Sequence, residues 1–256
     1  MLLSALQHVQ KIAGDKRQLA VFLDFDGTLT PIVSRPEKAL LPGSIHETLQ
    51  ALATKTPVAI LSGRDLDDIR QRVNIDAIVY AGSHGFDIRG PRGLRKEVAT
   101  EFLPTLDLAE KELAKELVGI TGAHLERKRF SIAAHYRNVN ENEFPKVERI
   151  VSAVAARHRE LRKMEGKKVY ELLPDIDWNK GKAVLWLLGS LASERPNLPP
   201  IYIGDDRTDE DAFRALEQRG TGILVTEQPR PTAATYSLKN PTEVERFLRE
   251  LVATLR

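Results

Sequence analysis

Two carboxylates separated by one residue close an apolar run in Asp24-Phe25-Asp26-Gly27-Thr28. Side chains alternate along a strand, so Asp24 and Asp26 share a face if strand geometry persists. Such a pair at the carboxyl end of a strand, followed by a glycine turn, suits a hard cation. It also suits two-part chemistry, in which one carboxylate attacks phosphorus and the other moves a proton. A second cluster, Gly204-Asp205-Asp206-Arg207-Thr208-Asp209, follows another apolar run. Its carboxylates repel one another unless they are solvated, cap a helix or bind a cation. Asp209 and Glu210 suit the positive start of the next helix, whereas Asp205 and Asp206 precede it.

Two further groups fit the same chemistry. Leu61-Ser62-Gly63-Arg64 ends a third apolar run, where Ser62 and nearby backbone N–H groups can hold a phosphate oxygen. Asn179-Lys180-Gly181-Lys182 offers point charge for a phosphate dianion. Each group alone has an ordinary explanation: an Asp-Gly turn, a serine cap, a solvated lysine pair. Their common placement outside apolar strands matches where open α/β sheets bind ligands.

Those strands have to be placed by helices. Short apolar runs at Ala20–Phe25, Pro57–Leu61, Ala77–Ala81, Pro200–Ile203 and Gly222–Val225 read as buried strands. Helical spacing runs over Ser44–Lys55 (with Ser44 as N-cap), Asp65–Val73, Thr208–Leu216 and Thr242–Leu255. The alternation predicts a doubly wound parallel sheet with helices on both faces. The middle differs. Helices are expected at Leu103–Leu117 and Phe144–Arg157, with alternating, half-exposed strands at Phe130–Arg137 and Lys167–Leu172. This predicts an α+β insertion over 99–173 within a catalytic core of 1–98 and 174–256. Glu194–Pro200 and Glu227–Pro231 read as loops.

Composition narrows the classes further. The 256 residues carry a formal net charge of +2, so nucleic acid and membrane are not expected partners. Cysteine is absent, which excludes disulfides, thiolate nucleophiles and zinc–thiolate sites. Met1–Lys11 is too short and polar for a secretory signal, and no apolar run reaches membrane-span length. A cytoplasmic, monomeric enzyme acting on a small molecule is the expectation.

The four motifs, in this order, resemble the haloacid dehalogenase superfamily of phosphotransferases. Leu23-Asp24-Phe25-Asp26-Gly27-Thr28-Leu29-Thr30-Pro31-Ile32-Val33, Tyr80-Ala81-Gly82-Ser83-His84-Gly85 and Gly204 to Phe213 more closely resemble the trehalose-6-phosphate phosphatase family. The likeness spans the core and is looser in the insertion, though His135-Tyr136-Arg137 there, and Trp178 to Ala183 beyond it, also resemble that family. It implies Mg²⁺-dependent hydrolysis of trehalose 6-phosphate through an aspartyl-phosphate. Asp24 would be the nucleophile, Asp26 the acid and base, and Lys180 the neutralising charge. Thr28, Ser62, Gly63 and Arg64 would bind phosphate. The Asp24 carboxylate, the Asp26 carbonyl and Asp205, assisted by Asp206 or Asp209, would hold Mg²⁺.

In the same family the insertion acts as a cap that reads the sugar. Glu126, Lys128, His135, Arg137 and Glu171 are its candidates. Carboxylates suit sugar hydroxyls because every hydroxyl can donate to them. Glu126 and Lys128 have opposite parity to His135 and Arg137, so one regular strand cannot aim both pairs at one ligand without a bulge near Ala133-Ala134. Alternative readings are a phosphatase for another glycosyl phosphate (glucosyl- or mannosyl-phosphoglycerate, sucrose phosphate), a phosphotransferase or mutase, and a non-enzymatic sugar-phosphate sensor.

Overall fold

The structure, a computed structural model, describes residues 2–14, 19–33, 38–192 and 198–255. The chain forms two compact units, 1–96 with 178–256 and 97–177. The first begins with β1 (Leu3–Ser4), α1 (Val9–Ala13), β2 (Ala20–Leu23), α2 (Gly43–Lys55), β3 (Val58–Leu61), α3 (Leu66–Val73), β4 (Val79–Gly82), β5 (Asp87–Arg89) and β6 (Arg95–Glu97). The second unit holds α4 (Leu103–Glu116), β7 (His124–Lys128), β8 (Ser131–His135), α5 (Phe144–Arg157), β9 (Leu161–Gly166) and β10 (Val169–Pro174). The chain then completes the first unit with α6 (Lys180–Ala192), β11 (Pro200–Gly204), α7 (Asp209–Leu216), β12 (Thr221–Val225), β13 (Tyr236–Leu238) and α8 (Pro241–Thr254).

Among the described residues the first unit builds a nine-stranded sheet, ordered β1-β13-β12-β11-β2-β3-β4-β5-β6. Pairing from β1 through β4 across this order is parallel, and β5 returns antiparallel to β4. The chain leaves β2 towards β3 and β4, then later adds β11, β12 and β13 on the other side of β2. That reversal makes the carboxyl ends of β2 and β11 the topological switch point, where α/β sheets bind ligands.

Strand alternation sorts the core into two layers. Val21 and Leu23 of β2 pack with Ile45, Leu49 and Leu52 of α2 and Val244, Phe247 and Leu251 of α8. Ala20 and Phe22 face the opposite way, towards Ala183, Val184 and Leu187 of α6 and Ala212, Phe213 and Leu216 of α7. Each such Leu, replaced by Ala, is expected to cost about 2–5 kcal/mol. Local signals also set helix ends. The Asp65 carboxylate caps α3 by accepting from the Asp67 N–H, and Asn74 stops it in the left-handed region at φ 50°.

Some expectations do not hold. Ser44 does not cap α2; the helix starts at Gly43 behind Pro42, and the Ser44 carbonyl accepts from the Thr48 hydroxyl. The expected loop over Glu194–Pro200 lies outside the described residues up to position 197. No helix among the described residues is long and apolar enough to cross a membrane.

The second unit is a four-stranded antiparallel sheet, β7-β8-β10-β9, made of two hairpins. Its apolar face packs Ile132, Ala134, Tyr136, Tyr170 and Leu172 against Leu106, Leu113, Val147, Val151 and Val154 of α4 and α5. β7 and β9 have no strand expectation behind them, because His124-Leu125-Glu126-Arg127-Lys128 carries one apolar residue and no alternation. β8 is not half-exposed as its alternation suggests. Ser131 and Ala133 are buried, two small side chains flanked in register by Lys128, Glu126 and Glu171.

Candidate active site

Asp24 directly follows β2, and its N–H donates to the Ile203 carbonyl at 2.9 Å. By parity with Ala20 and Phe22 it points to the α6–α7 layer. Tyr202 of β11 points there too. Lys180 opens α6 and Asp209 opens α7, so four polar groups meet under that layer. Lys180 Nζ donates to Asp24 Oδ1 at 2.8 Å and to Asp209 Oδ1 at 2.7 Å. The Tyr202 hydroxyl donates to Asp209 Oδ1 at 2.6 Å. Asp209 Oδ2 accepts the Asp205 and Asp206 N–H groups, each at 2.9 Å.

Gly181 makes this meeting sterically possible. A Cβ there would lie 2.3 Å from the Asp211 carbonyl oxygen of α7. Gly181→Ala is therefore expected to push α6 from α7, costing about 1–3 kcal/mol. Because Lys180 moves with α6, activity should fall more than the loss of stability explains; thermal melts beside steady-state rates check this.

Electrostatically the cluster is short of positive charge. Burial pushes the Asp24 carboxyl well above its ordinary pKa; Lys180 opposes this, while Asp209, Asp205 and Asp206 add to it. Burial works against the Lys180 ammonium, yet Asp209 and Asp24 carry its pKa well above the ordinary value. Asp24, Asp205 and Asp209 each bring an oxygen within 4.8 Å of the others, so the group could hold a hard cation. Asp209 already accepts four hydrogen bonds, which leaves Asp24 and Asp205 as the better donors. Asp206, expected to assist at the metal, turns back on its own loop. Its Oδ1 accepts the Thr208 N–H at 2.7 Å and the Thr208 hydroxyl at 2.6 Å. Burial would raise its carboxyl, but Lys180 and these bonds outweigh that and lower it to about 2.

The turn after Asp24 departs from strand geometry. Phe25 is buried in the α2–α8 layer, and its carbonyl accepts the Leu29 and Thr30 N–H groups. Gly27 takes φ +91°, and a Cβ there would strike the Asp205 carboxylate at 2.3 Å. Asp24 and Asp26 consequently do not share partners. Asp26 meets Arg64, whose Nε and Nη2 fork onto both its oxygens at 2.7 Å each. Arg64, expected on phosphate, also donates from Nη1 to Asp68 at 2.9 Å.

The other phosphate candidates lie close by in the fold. Thr28 is fully buried, and its hydroxyl has no hydrogen-bond partner among the described residues. Such an orphan costs about 1–3 kcal/mol, unless a ligand satisfies it. Ser62 is buried and accepts the Arg64 N–H at 3.1 Å. The His84 ring packs over Gly63. Ser83 and His84 both hold positive φ, at 47° and 58°, in a turn tied by Ser83 N–H to the Arg64 carbonyl and His84 N–H to the Ser62 carbonyl.

The second unit resolves the parity conflict by a hairpin rather than a bulge. Glu126 and Lys128 lie on β7, His135 on β8, and Glu126 pairs with Ala133, which in turn pairs with Glu171. The reversal puts all four polar side chains on one face. Lys128 Nζ and the Ser131 hydroxyl donate to Glu171 Oε1 at 2.9 and 2.6 Å. His135 Nε2 lies 2.7 Å from Glu126 Oε2. The His135 bond holds the Glu126 carboxyl below its ordinary pKa against the opposing effect of burial, with Lys128 helping. Arg137 does not join them; β8 ends at His135, and Arg137 is exposed and donates to the Lys167 carbonyl at 3.1 Å.

Residues 22–242 match the family model described as trehalose-phosphatase. The chain belongs to that family. A relative from Arabidopsis thaliana, probable trehalose-phosphate phosphatase D, is 42% identical over 264 residues, covering 97% of this chain and 72% of the relative. The crystal structure of a trehalose-6-phosphate phosphatase related protein aligns with TM-score 0.79 at 25% identity, covering 91% of this chain and 97% of that one. A haloacid dehalogenase-like hydrolase from Bacteroides thetaiotaomicron has TM-score 0.66 at 14% identity, covering 91% and 99%, and shares the fold. The trehalose-phosphatase chain thus has a haloacid dehalogenase-like α/β fold.

Within this family member, sequence reading passed over Tyr202 and Ser131. Tyr202 sits in Pro200-Ile201-Tyr202-Ile203 and reads as core filling; only its register opposite Phe22 in the paired strand puts it in the layer that Asp24 faces. Ser131 is hidden for the same reason, because its contact with Glu171 depends on strand pairing 40 residues apart.

Proposed function

We propose that this chain hydrolyses trehalose 6-phosphate to trehalose and phosphate, with Asp24 as nucleophile. The observation that carries the reading is Lys180 clamped between Asp24 and Asp209 at the switch point. A buried carboxylate held by an ammonium, at a sheet's ligand-binding edge, is fitted to attack an anionic centre. An Asp24 oxygen forms a bond to phosphorus as the bond from phosphorus to the sugar oxygen breaks. Asp26 gives its proton to that departing oxygen. Water then attacks the phosphorus of the aspartyl-phosphate, Asp26 takes its proton, and the Asp24 carboxylate is released with phosphate. Thr28 and Ser62 would donate to phosphoryl oxygens, which gives the orphaned Thr28 hydroxyl its partner.

The charge shortage around Asp24 fits a divalent cation, and we assign Mg²⁺ to Asp24, Asp205 and the Asp26 carbonyl. When bound, Mg²⁺ supplies charge neutralisation at the phosphoryl oxygens. Asp209 orients Lys180 and the Asp205 loop. The polar face of the second unit, Glu126, Lys128, His135 and Glu171, is proposed to meet sugar hydroxyls.

The test is phosphate release from trehalose 6-phosphate with Mg²⁺ and with EDTA. Release with Mg²⁺, and loss of at least about 100-fold with EDTA, are expected. Release from glycosyl-phosphoglycerates or sucrose phosphate, with none from trehalose 6-phosphate, would overturn the substrate assignment.

A further inference from the structure

Arg64 is bound from every side that the chemistry of Asp26 requires. Its backbone is tied twice, the N–H to the Ser62 hydroxyl at 3.1 Å and the carbonyl to the Ser83 N–H at 2.7 Å. Its guanidinium carbon lies 5.5 Å from the centre of the Phe25 ring. One edge, Nε with Nη2, carries Asp26, and an Nη1 N–H meets Asp68. Asp68 is itself held by Arg72, whose Nε lies 2.9 Å from both its oxygens and whose Nη1 donates to the Ala39 carbonyl. A forked guanidinium fixes the plane of a carboxylate, which a point charge cannot do. The Arg64 side chain is only 10% exposed, whereas Asp26 keeps 39% of its own open to solvent.

We infer that Arg64 is the positioning residue of Asp26, holding the plane of its carboxylate towards the leaving oxygen, and that its Nε–Nη2 fork serves Asp26 rather than phosphate. This rests on the proposed role of Asp26 as proton donor. An arginine that grips phosphate by its side-on fork must present Nε and Nη2 to it; here that fork is taken by Asp26. A carboxylate at the mouth of a site, free to rotate, would lose the geometry that proton transfer needs.

The two roles separate by leaving group. The sugar oxygen needs a proton to depart, whereas 4-nitrophenolate leaves as the anion. The kcat/KM value reports the steps through formation of the phosphoenzyme. Arg64→Lys is expected to lower kcat/KM about 100-fold for trehalose 6-phosphate, or for whichever sugar phosphate the substrate panel shows to be cleaved. For 4-nitrophenyl phosphate it should change by less than about 5-fold, with inhibition by inorganic phosphate unaltered. Asp26→Asn should show the same selectivity, and the double variant should be no worse than Asp26→Asn alone. Asp68→Asn, which leaves the fork intact, guards against misfolding of Arg64→Lys and should show the same selectivity in milder form.

Equal loss on both substrates with weakened phosphate inhibition would make Arg64 a phosphate ligand and overturn the inference, as would additive effects in the double variant. An inactive wild type on trehalose 6-phosphate counts against the substrate, not against this inference.

Discussion

Asp24→Asn is expected to lower kcat on trehalose 6-phosphate by on the order of 10⁴-fold or more. An amide has the shape of the carboxylate but cannot attack phosphorus. The fold should survive, because the Asn oxygen can still accept from Lys180 and Asp209 keeps its four donors. Stability gives a second readout with a definite sign. The Asp24 carboxyl is pushed up by burial. A carboxyl raised on folding favours the folded state while protonated, and this contribution is lost as pH rises from about 3.9 through the folded value. At neutral pH without divalent cation, the Asn variant should thus melt at or above wild type. For a chain of this size each ~1 kcal/mol relieved adds about 2–4 °C. Adding Mg²⁺ should reverse the order, since wild type gains the larger stabilisation from binding. Activity within tenfold of wild type would remove Asp24 as the nucleophile.

Lys180→Met should damage both fold and activity. The lysine is 2% exposed, and its two partner carboxylates are 7% and 0% exposed. Removing one member of a buried ion pair leaves uncompensated charge and costs about 3–5 kcal/mol. That corresponds to a drop of roughly 6–20 °C in melting temperature. Methionine keeps most of the stem volume, so the loss reports charge rather than a cavity. The phosphoryl group also loses a preorganised cation, for an expected fall of about 10²–10³-fold in kcat. Mg²⁺ should recover part of the melting temperature, because a cation at Asp24 and Asp205 relieves the same repulsion, but not the rate. A melting temperature unchanged in EDTA would contradict the buried clamp.

These consequences were unevenly legible before folding. Asp24, Ser62, Lys180 and Asp205 could be picked out because each ends an apolar run, or precedes a helix, in a pattern that local chemistry explains. The division of labour among the aspartates could not. Asp206 and Asp209 stand three residues apart and look interchangeable. Asp206 bonds its own turn and Asp209 takes Lys180 and Tyr202, because α7 begins at Asp209 and turns its first side chain inward. The Arg64–Asp26 fork spans 38 residues and depends on β3 lying beside β2.

The second unit makes the same contrast. Its polar candidates were identifiable as residue types, but their alternation over 124–137 gave a contradiction when read as one strand. A hairpin between Lys128 and Ser131 reverses the direction and brings Glu126, Lys128, His135 and Glu171 to one face. Sequence by itself determined the apolar strands, the amphipathic helices and which side chains carry the chemistry, since periodicity and residue type act locally. Tertiary structure decided which carboxylate meets which cation, because pairing and burial join residues far apart in the chain.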